Sequence, residues 1–263
     1  MTNAIQYYGQ EAFPYTQGRG KVYVRYPGKT AWRDTYHVKE FKVAKAVEEL
    51  KHENVSSKMK YVDASVITKM EITGGFTLDV PSLDNVKDFL SADDYTEDAQ
   101  TSGTLSAVEY IVETPGCWHD LGKRKLTITK VTDDTSPTPV DLVEGTDYLI
   151  DLDNGMFLPI PTSNKVGTAG DKYQVTGTYA THTKKQLKAG TKIPQRVEIL
   201  YLGDPSIGKR QNIYCYGLLK GTGDFVQIGE EWQQLAYEFT CYAHSTYGKY
   251  GLMWEDIEDV AQS

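Results

Sequence analysis

"VDASVITKMEITGGFTLDV", residues 62–80, decides what kind of chain this is. Its even positions are mostly apolar: Val62, Ala64, Val66, Thr68, Met70, Ile72, Gly74, Phe76, Leu78 and Val80. Its odd positions, among them Asp63, Lys69, Glu71 and Asp79, are mostly polar. Successive side chains on a strand point to opposite faces, so this period of two predicts one long β-strand with a buried face and a wet face. At about 3.3 Å per residue the run would reach roughly 60 Å. Adjacent Gly74 and Gly75 predict a bend or bulge inside it.

Directly downstream, "PSLDNVKDFLSADD" (81–94) carries the clearest helix signal. Ser82 can cap it, Asp84 sits in its first turn, and Leu83, Val86, Phe89 and Leu90 form one apolar stripe. A helix near 83–92, packed on a sheet, is expected. Upstream, "EFKVAKAVEELKHE" (40–53) fits a strand or a helix, and the polar link at 51–61 reads as an exposed loop. From about 103 to 181, short strands alternate with turn-rich stretches such as "DDTSPTPVD" and "DNG", the texture of a small antiparallel module. A last block holds "QRVEILYLG", "NIYCYGLL" and "QLAYEFTCYA", with "GDPSIGKRQ" joining the first two as a hairpin. In the third, Leu235, Tyr237, Phe239, Cys241 and Ala243 share one face, with Trp232 expected to anchor the start of the strand.

The domain expectation is therefore an N-terminal extension over 1–39, a main β domain over 40–102 and 182–263, and an inserted β module over 103–181. The fold class read from the residues is mainly β with one helix packed on a sheet.

Composition narrows the function classes. At 40% hydrophobic residues the 263-residue chain can bury a real core. Its net charge of −8 argues against binding nucleic acid by neutralising phosphates. Charge is uneven: residues 1–60 hold eleven Lys/Arg against six Asp/Glu, and residues 81–120 hold nine Asp/Glu against one lysine. Three cysteines without a CxxC argue against a disulfide framework or a zinc site and fit a reducing compartment. Neither a secretory signal nor a run of membrane-spanning length is visible, so a soluble protein made in a cytoplasm is expected, without membrane insertion.

Motifs for catalysis fail on spacing. "PGKT" (27–30) lacks the upstream glycine of a phosphate loop, because position 23 is tyrosine. "DLDNG" (151–155) places its glycine too early for a calcium loop and reads as a hairpin turn. The five histidines, His37, His52, His119, His182 and His244, show no metal-binding spacing. Glu230 and Glu231 are adjacent, so in an extended strand they face opposite ways and cannot form a glycosidase pair. No catalytic residue, metal site or cofactor is expected, and the reading is non-enzymatic.

Taken in order, these parts resemble the major tail tube proteins of long-tailed, siphovirus-like bacteriophages. The resemblance runs from about residue 40 to the end. It rests on the strand, polar loop, long strand and helix of "AVEELKHENVSSKMKYVDASVITKMEITGGFTLDVPSLDNVKDFLSA" (46–92), with Asn85 and Leu90 in an N-x-x-x-x-L segment. It rests also on "VEGTDYLIDLDNGMFLPIP" (143–161), similar to a gtDY-x-x-D…G hairpin, and on the closing hairpin of 208–243. What it implies is the tail-tube fold, two antiparallel sheets in a sandwich or flattened barrel with one flanking helix, and a structural virion protein that assembles into stacked, hexameric rings forming a hollow tail tube. Double-stranded DNA passes through such a lumen without specific binding. Copies of itself, a tape measure, a tail terminator and baseplate or tip proteins are the implied partners, and the virion is the implied location. For inter-ring contacts the charge pattern nominates Lys51, Lys58 and Lys60 against Asp93, Asp94, Glu97 and Asp98 of the next ring. Opposite-signed segments suit a head-to-tail contact that propagates.

Two readings from other classes stand beside it. One is a carbohydrate-binding, adhesin-like β-sandwich tail component using Trp32, Trp118 or Trp232 as a platform. The other is a β-sandwich hydrolase using Glu230 or Glu231.

Overall fold

The structure, a computed structural model of the chain, describes residues 18–54, 60–134, 137–205, 210–230 and 232–257. The fold is mainly β, built from several antiparallel sheets. Two compact units share the chain. The first comprises the described residues up to Asp94 and from Leu187 on, and the second is Tyr95–Gln186.

The first unit holds β1 (Gly20–Arg25), β2 (Arg33–Asp34), β3 (Val38–Asn54), β4 (Tyr61–Leu78) and α1 (Leu83–Phe89). The chain then passes through β5 (Thr96–Gln100), β6 (Gly103–Ile111), β7 (His119–Asp120) and β8 (Leu126–Asp133) of the second unit. That unit continues with β9 (Tyr148–Asp151), β10 (Met156–Pro159), β11 (Lys172–Tyr179) and β12 (His182–Gln186). It returns as β13 (Arg196–Gly203), β14 (Arg210–Thr222), β15 (Leu235–Cys241) and β16 (Leu252–Ile257).

In the first unit the strands form one sheet in the order β2-β1-β13-β14-β15-β4-β3, with β16 beside β14 beyond the end of β15. The expectation of two separate sheets gives way here to a single sheet that curls over itself. Phe41 of β3 stacks on Tyr201 of β13 with ring centroids 4.9 Å apart, although three strands lie between them. A flat sheet at about 4.8 Å per strand would hold those strands roughly 19 Å apart. Inside the curl lie Val22, Val24, Phe76, Leu78, Val197, Ile199, Leu235 and Phe239.

Several expectations change against this frame. Residues Gly20–Arg25, assigned to an N-terminal extension, form an internal strand whose Val22 and Val24 are fully buried. Residues 40–53, left open between helix and strand, belong to β3. The glycines of β4 make no bulge: Gly74 opposes Val43 and Phe239, and Gly75 opposes Lys42 and Glu238, in unbroken register. They serve close approach instead. A Cβ on Gly74 would sit 2.3 Å from the Phe239 ring and 2.5 Å from the Lys42 carbonyl oxygen.

Helix α1 begins where the sequence puts it, with Ser82 Oγ accepting from the Asn85 N–H at 3.3 Å. Val86 and Phe89 of the stripe pack on the core. Asn85 is also fully buried, and its side chain is satisfied: Oδ1 accepts from Arg33 Nη1 at 2.6 Å, while Nδ2 donates to the Thr35 and Val80 carbonyls at 3.1 Å each. Arg33 further pairs with Asp88, and Tyr237 Oη donates to the Asn85 carbonyl, so polar bonds pin the short helix to β2 and β15.

The second unit starts and ends outside the expected 103–181, because the incoming and outgoing segments pair with each other as β5 and β12. Its two three-stranded sheets, β6-β11-β8 and β7-β10-β9, are tied by an aromatic column. Tyr148, Phe157, Tyr173 and Tyr110 stack in that order at 4.9, 4.1 and 5.5 Å between centroids. The "DYLIDLDNG" segment builds one end of it. Asp147 fixes the preceding turn, Tyr148 enters the column, and Asp151 accepts from the Asp153 and Asn154 N–H groups. Gly155 closes the hairpin at φ +62°, where a Cβ would fall 1.7 Å from the Lys123 carbonyl oxygen.

Candidate assembly surfaces

Strand β4 was expected to bury one face throughout its length, yet burial is confined to its C-terminal end. Phe76 and Leu78 are buried, whereas Tyr61–Lys69 is exposed on both faces. The pairing explains this. β15 accompanies β4 only from Thr73 to Leu78, so Tyr61–Ile72 pairs with β3 alone. That outer ribbon extends roughly 40 Å at about 3.3 Å per residue. Leu50 is 69% exposed and Val66 64%, and Tyr61, Val62 and Ile67 are also more than half exposed.

Register shifts distribute these side chains over both faces. Up to Val47–Met70, alternate pairs continue the face that begins with Phe41–Phe76. The shift between Glu48 and Glu49 inserts Thr68 as an extra residue, and the Leu50–Val66 pair emerges on the opposite face. Polar pairs brace the ribbon between these apolar positions: Lys69 with Glu48 at 3.5 Å and Glu71 at 3.0 Å, and His52 with Asp63 at 2.5 Å. Several edges of the sheet are open among the described residues, including the side of Tyr61–Ile72 that faces away from β3 and the outer side of β16. β3 has no neighbour on its outer side, and β2 covers only Tyr23 and Val24 of β1.

The charged residues nominated from sequence fall as follows. Lys51 lies on β3 opposite Ser65, Lys60 sits 3.9 Å from Glu53 at the ribbon's tip, and Lys58 lies outside the described residues. Asp93 and Asp94 belong to the first unit, Glu97 and Asp98 to the second. Three of these carboxylates already have lysine partners: Asp94 with Lys87 at 2.7 Å, Glu97 with Lys185 at 3.4 Å and Asp98 with Lys184 at 2.9 Å. The hydrogen bond from Lys87 holds the Asp94 carboxyl below the usual carboxylate range, and Lys184 does the same for Asp98. The Asp93 N–H donates to Thr191 Oγ1 at 2.8 Å.

Sequence reasoning missed the surface at the opposite end of β4. The segment between β14 and β15 is a twelve-position loop anchored by Phe225, whose ring lies 5.9 Å from Phe89 of α1. Beyond that anchor, Ile228 is 94% and Trp232 88% exposed, with Val226 more than half exposed. Trp232 therefore does not anchor β15; it stands out from the loop and lines a shallow groove of about 360 Å³ with Asp224, Val226, Glu230 and Gln234. Glu231 lies outside the described residues. The signal was present as three apolar residues in a turn-rich stretch, of which only Trp232 was read, as the start of the strand. Of the other candidate platforms, Trp32 has the Arg25 guanidinium 4.4 Å over its ring, and Trp118 belongs to the second unit. Among the described residues no group of three His, Cys, Asp or Glu is placed to hold a metal, and no helix is long and apolar enough to cross a membrane.

These features define a class: a mainly β, two-unit chain whose curled sheet carries a projecting, partly apolar two-stranded ribbon. Over residues 15–251 the chain matches, and so belongs to, the family described as "Protein of unknown function UCP028589". No curated protein matches it.

Proposed function

We propose that this chain is a non-catalytic, self-assembling structural protein, a major tail tube protein whose copies form stacked rings around a DNA conduit. The observation that carries the reading is the outer β3–β4 ribbon. A two-stranded ribbon is marginal in water on its own, and this one exposes Leu50, Tyr61, Val62, Val66 and Ile67. Covering the half to two thirds of each such aliphatic side chain that is still exposed gains about 1–2 kcal/mol, which favours association over an isolated chain. The long open edge of β3 supports it as well, since an uncovered edge is a template for pairing with another chain and ring closure removes it. The acidic average of the chain suits a lumen that must let a duplex pass without adhesion.

Negative-stain microscopy and sedimentation of concentrated protein test this reading. Rings or tubes of uniform diameter are expected. A monodisperse monomer at every concentration, above all one that retains glycans on an array through Trp232, would overturn it in favour of the carbohydrate-binding alternative.

A further inference from the structure

Two of the three cysteines meet inside the first unit, a contact that their spacing in the sequence does not announce. Cys215 lies on β14 and Cys241 ends β15. The register sets Gly217 opposite Cys241. Cys215 stands two residues from Gly217, so both thiols project from the same face as diagonal neighbours, and Gly217 puts no side chain between them. That face is the core. Cys215 is fully buried in it, and the half-buried Cys241 packs against the same cluster. The thiols hydrogen-bond each other, which holds Cys241 below the usual thiol range. The same bond, with burial, pushes Cys215 up. Cys241 is thus the accessible, thiolate-forming member of the pair, and Cys215 the sheltered one that keeps its proton. Cys117 is exposed and belongs to the second unit.

We infer that Cys241 and Cys215 form a reversible disulfide by exchange with a small-molecule disulfide such as oxidised glutathione. The Cys241 thiolate attacks one sulfur of the reagent, whose S–S bond breaks, so that one thiolate leaves and a mixed disulfide stays on Cys241. Cys215 then gives up its proton and attacks Cys241 Sγ, and the second small thiolate leaves. One protein disulfide is formed and one small-molecule disulfide is reduced, and the two protein protons end on the two released thiols.

Diagonal neighbours have Cα atoms about 7 Å apart, the upper end of what a disulfide spans. Closure therefore draws β14 and β15 together and leaves a strained bond, and strained disulfides are the readily reduced, regulatory kind. Where glutathione is kept reduced the pair stays as thiols. In an oxidising medium it closes and staples the two central strands of the first unit. This site is independent of the assembly reading above.

The test uses the full chain with Cys117→Ser, which removes the exposed third thiol. Folded protein is incubated in glutathione buffers of graded oxidised-to-reduced ratio, quenched with acid, unfolded and alkylated, and then read by intact mass and peptide mapping. The expected product has lost two hydrogens, takes up no alkylating reagent and joins the Cys215 and Cys241 peptides; dithiothreitol restores both alkylation sites. Adding Cys215→Ala should halt the reaction at a glutathione adduct on Cys241, and adding Cys241→Ala should leave Cys215 unreacted. If these core variants do not fold, the Cys117→Ser result decides alone. A glutathione adduct that persists on Cys241 beside an intact Cys215 thiol would overturn the proposal. So would a bridge that forms only in urea, or bridges only between chains. Amide exchange of the oxidised protein supplies a second readout: β14 and β15 should slow about tenfold or more against the reduced protein, with β11 of the second unit unchanged. Equal exchange in both states would reject the staple.

Discussion

Asp147 shows how one residue of the second unit holds a turn. Burial pushes its carboxyl up, but the Val143 N–H, Ser163 Oγ and Lys165 Nζ donate to it at 2.9, 2.7 and 3.0 Å, and the net effect lies below the usual carboxylate range. A carboxyl depressed by folding stabilises the native state above the unfolded value near pH 4, and that contribution disappears as pH falls through the folded value. Asp147→Asn should therefore cost about 2–3 kcal/mol at neutral pH. In urea melts at a series of pH values the gap between variant and wild type should narrow below about pH 4; a gap independent of pH would refute the role. Tyr173 shows the opposite economy. It is fully buried in the aromatic column, and its hydroxyl has no hydrogen-bond partner among the described residues. Removing a buried, unmatched hydroxyl relieves a desolvation cost, so Tyr173→Phe should leave stability unchanged or raise it by about 1 kcal/mol. A loss larger than that would mean the hydroxyl is satisfied in solution.

At the scale of elements, β4 separates what sequence can and cannot announce. Its alternation identified a long strand, and the boundary signals of α1 identified a short helix, because both depend on neighbours in sequence. The extent of burial depends on how far β15 runs beside β4, a tertiary fact that alternation does not encode. The same holds for β1: Val22 and Val24 lie in a run too short to declare itself, and only the curl of the sheet, which packs them with Phe76, Ile199 and Phe239, buries them. Lys51 and Lys60, nominated from charge, lie on the ribbon, whereas the exposed Ile228 and Trp232 sit in a loop that runs into the strand pattern of β15 and were not marked by it. Gly74 gives the element-scale prediction. Its neighbours leave no room for a methyl group, so Gly74→Ala must displace Phe239 or part β3 from β4. Overpacking of this kind costs about 1–3 kcal/mol. Thermal melts should show that loss. An unchanged midpoint would mean that the strand bends at Gly74 without strain, restoring the bend read from the glycine pair.

For the molecule as a whole, the two units have separate hydrophobic cores. Phe239, Ile199 and Val22 belong to one, and Phe157, Tyr173 and Val175 to the other, with no buried residue common to both among the described residues. A chain whose units each bury their own core need not unfold as a single cooperative block. The β5–β12 ladder strengthens that division, because the segments entering and leaving the second unit are paired with each other. Calorimetry at neutral pH, under conditions that keep the chain monomeric, should therefore resolve two transitions. Phe157→Ala opens a cavity in the second core and should lower one of them, whereas Phe239→Ala should lower the other; each costs about 3–5 kcal/mol in its own unit. The proposed assembly would add a second handle, since ligation of the native first unit by other copies would raise only the transition of the unit that makes the contact. Raising the protein concentration should then shift the transition sensitive to Phe239→Ala and leave the one sensitive to Phe157→Ala in place. A single transition displaced equally by both substitutions would show that the units fold as one, and a concentration dependence confined to the Phe157 transition would move the assembly surface into the second unit.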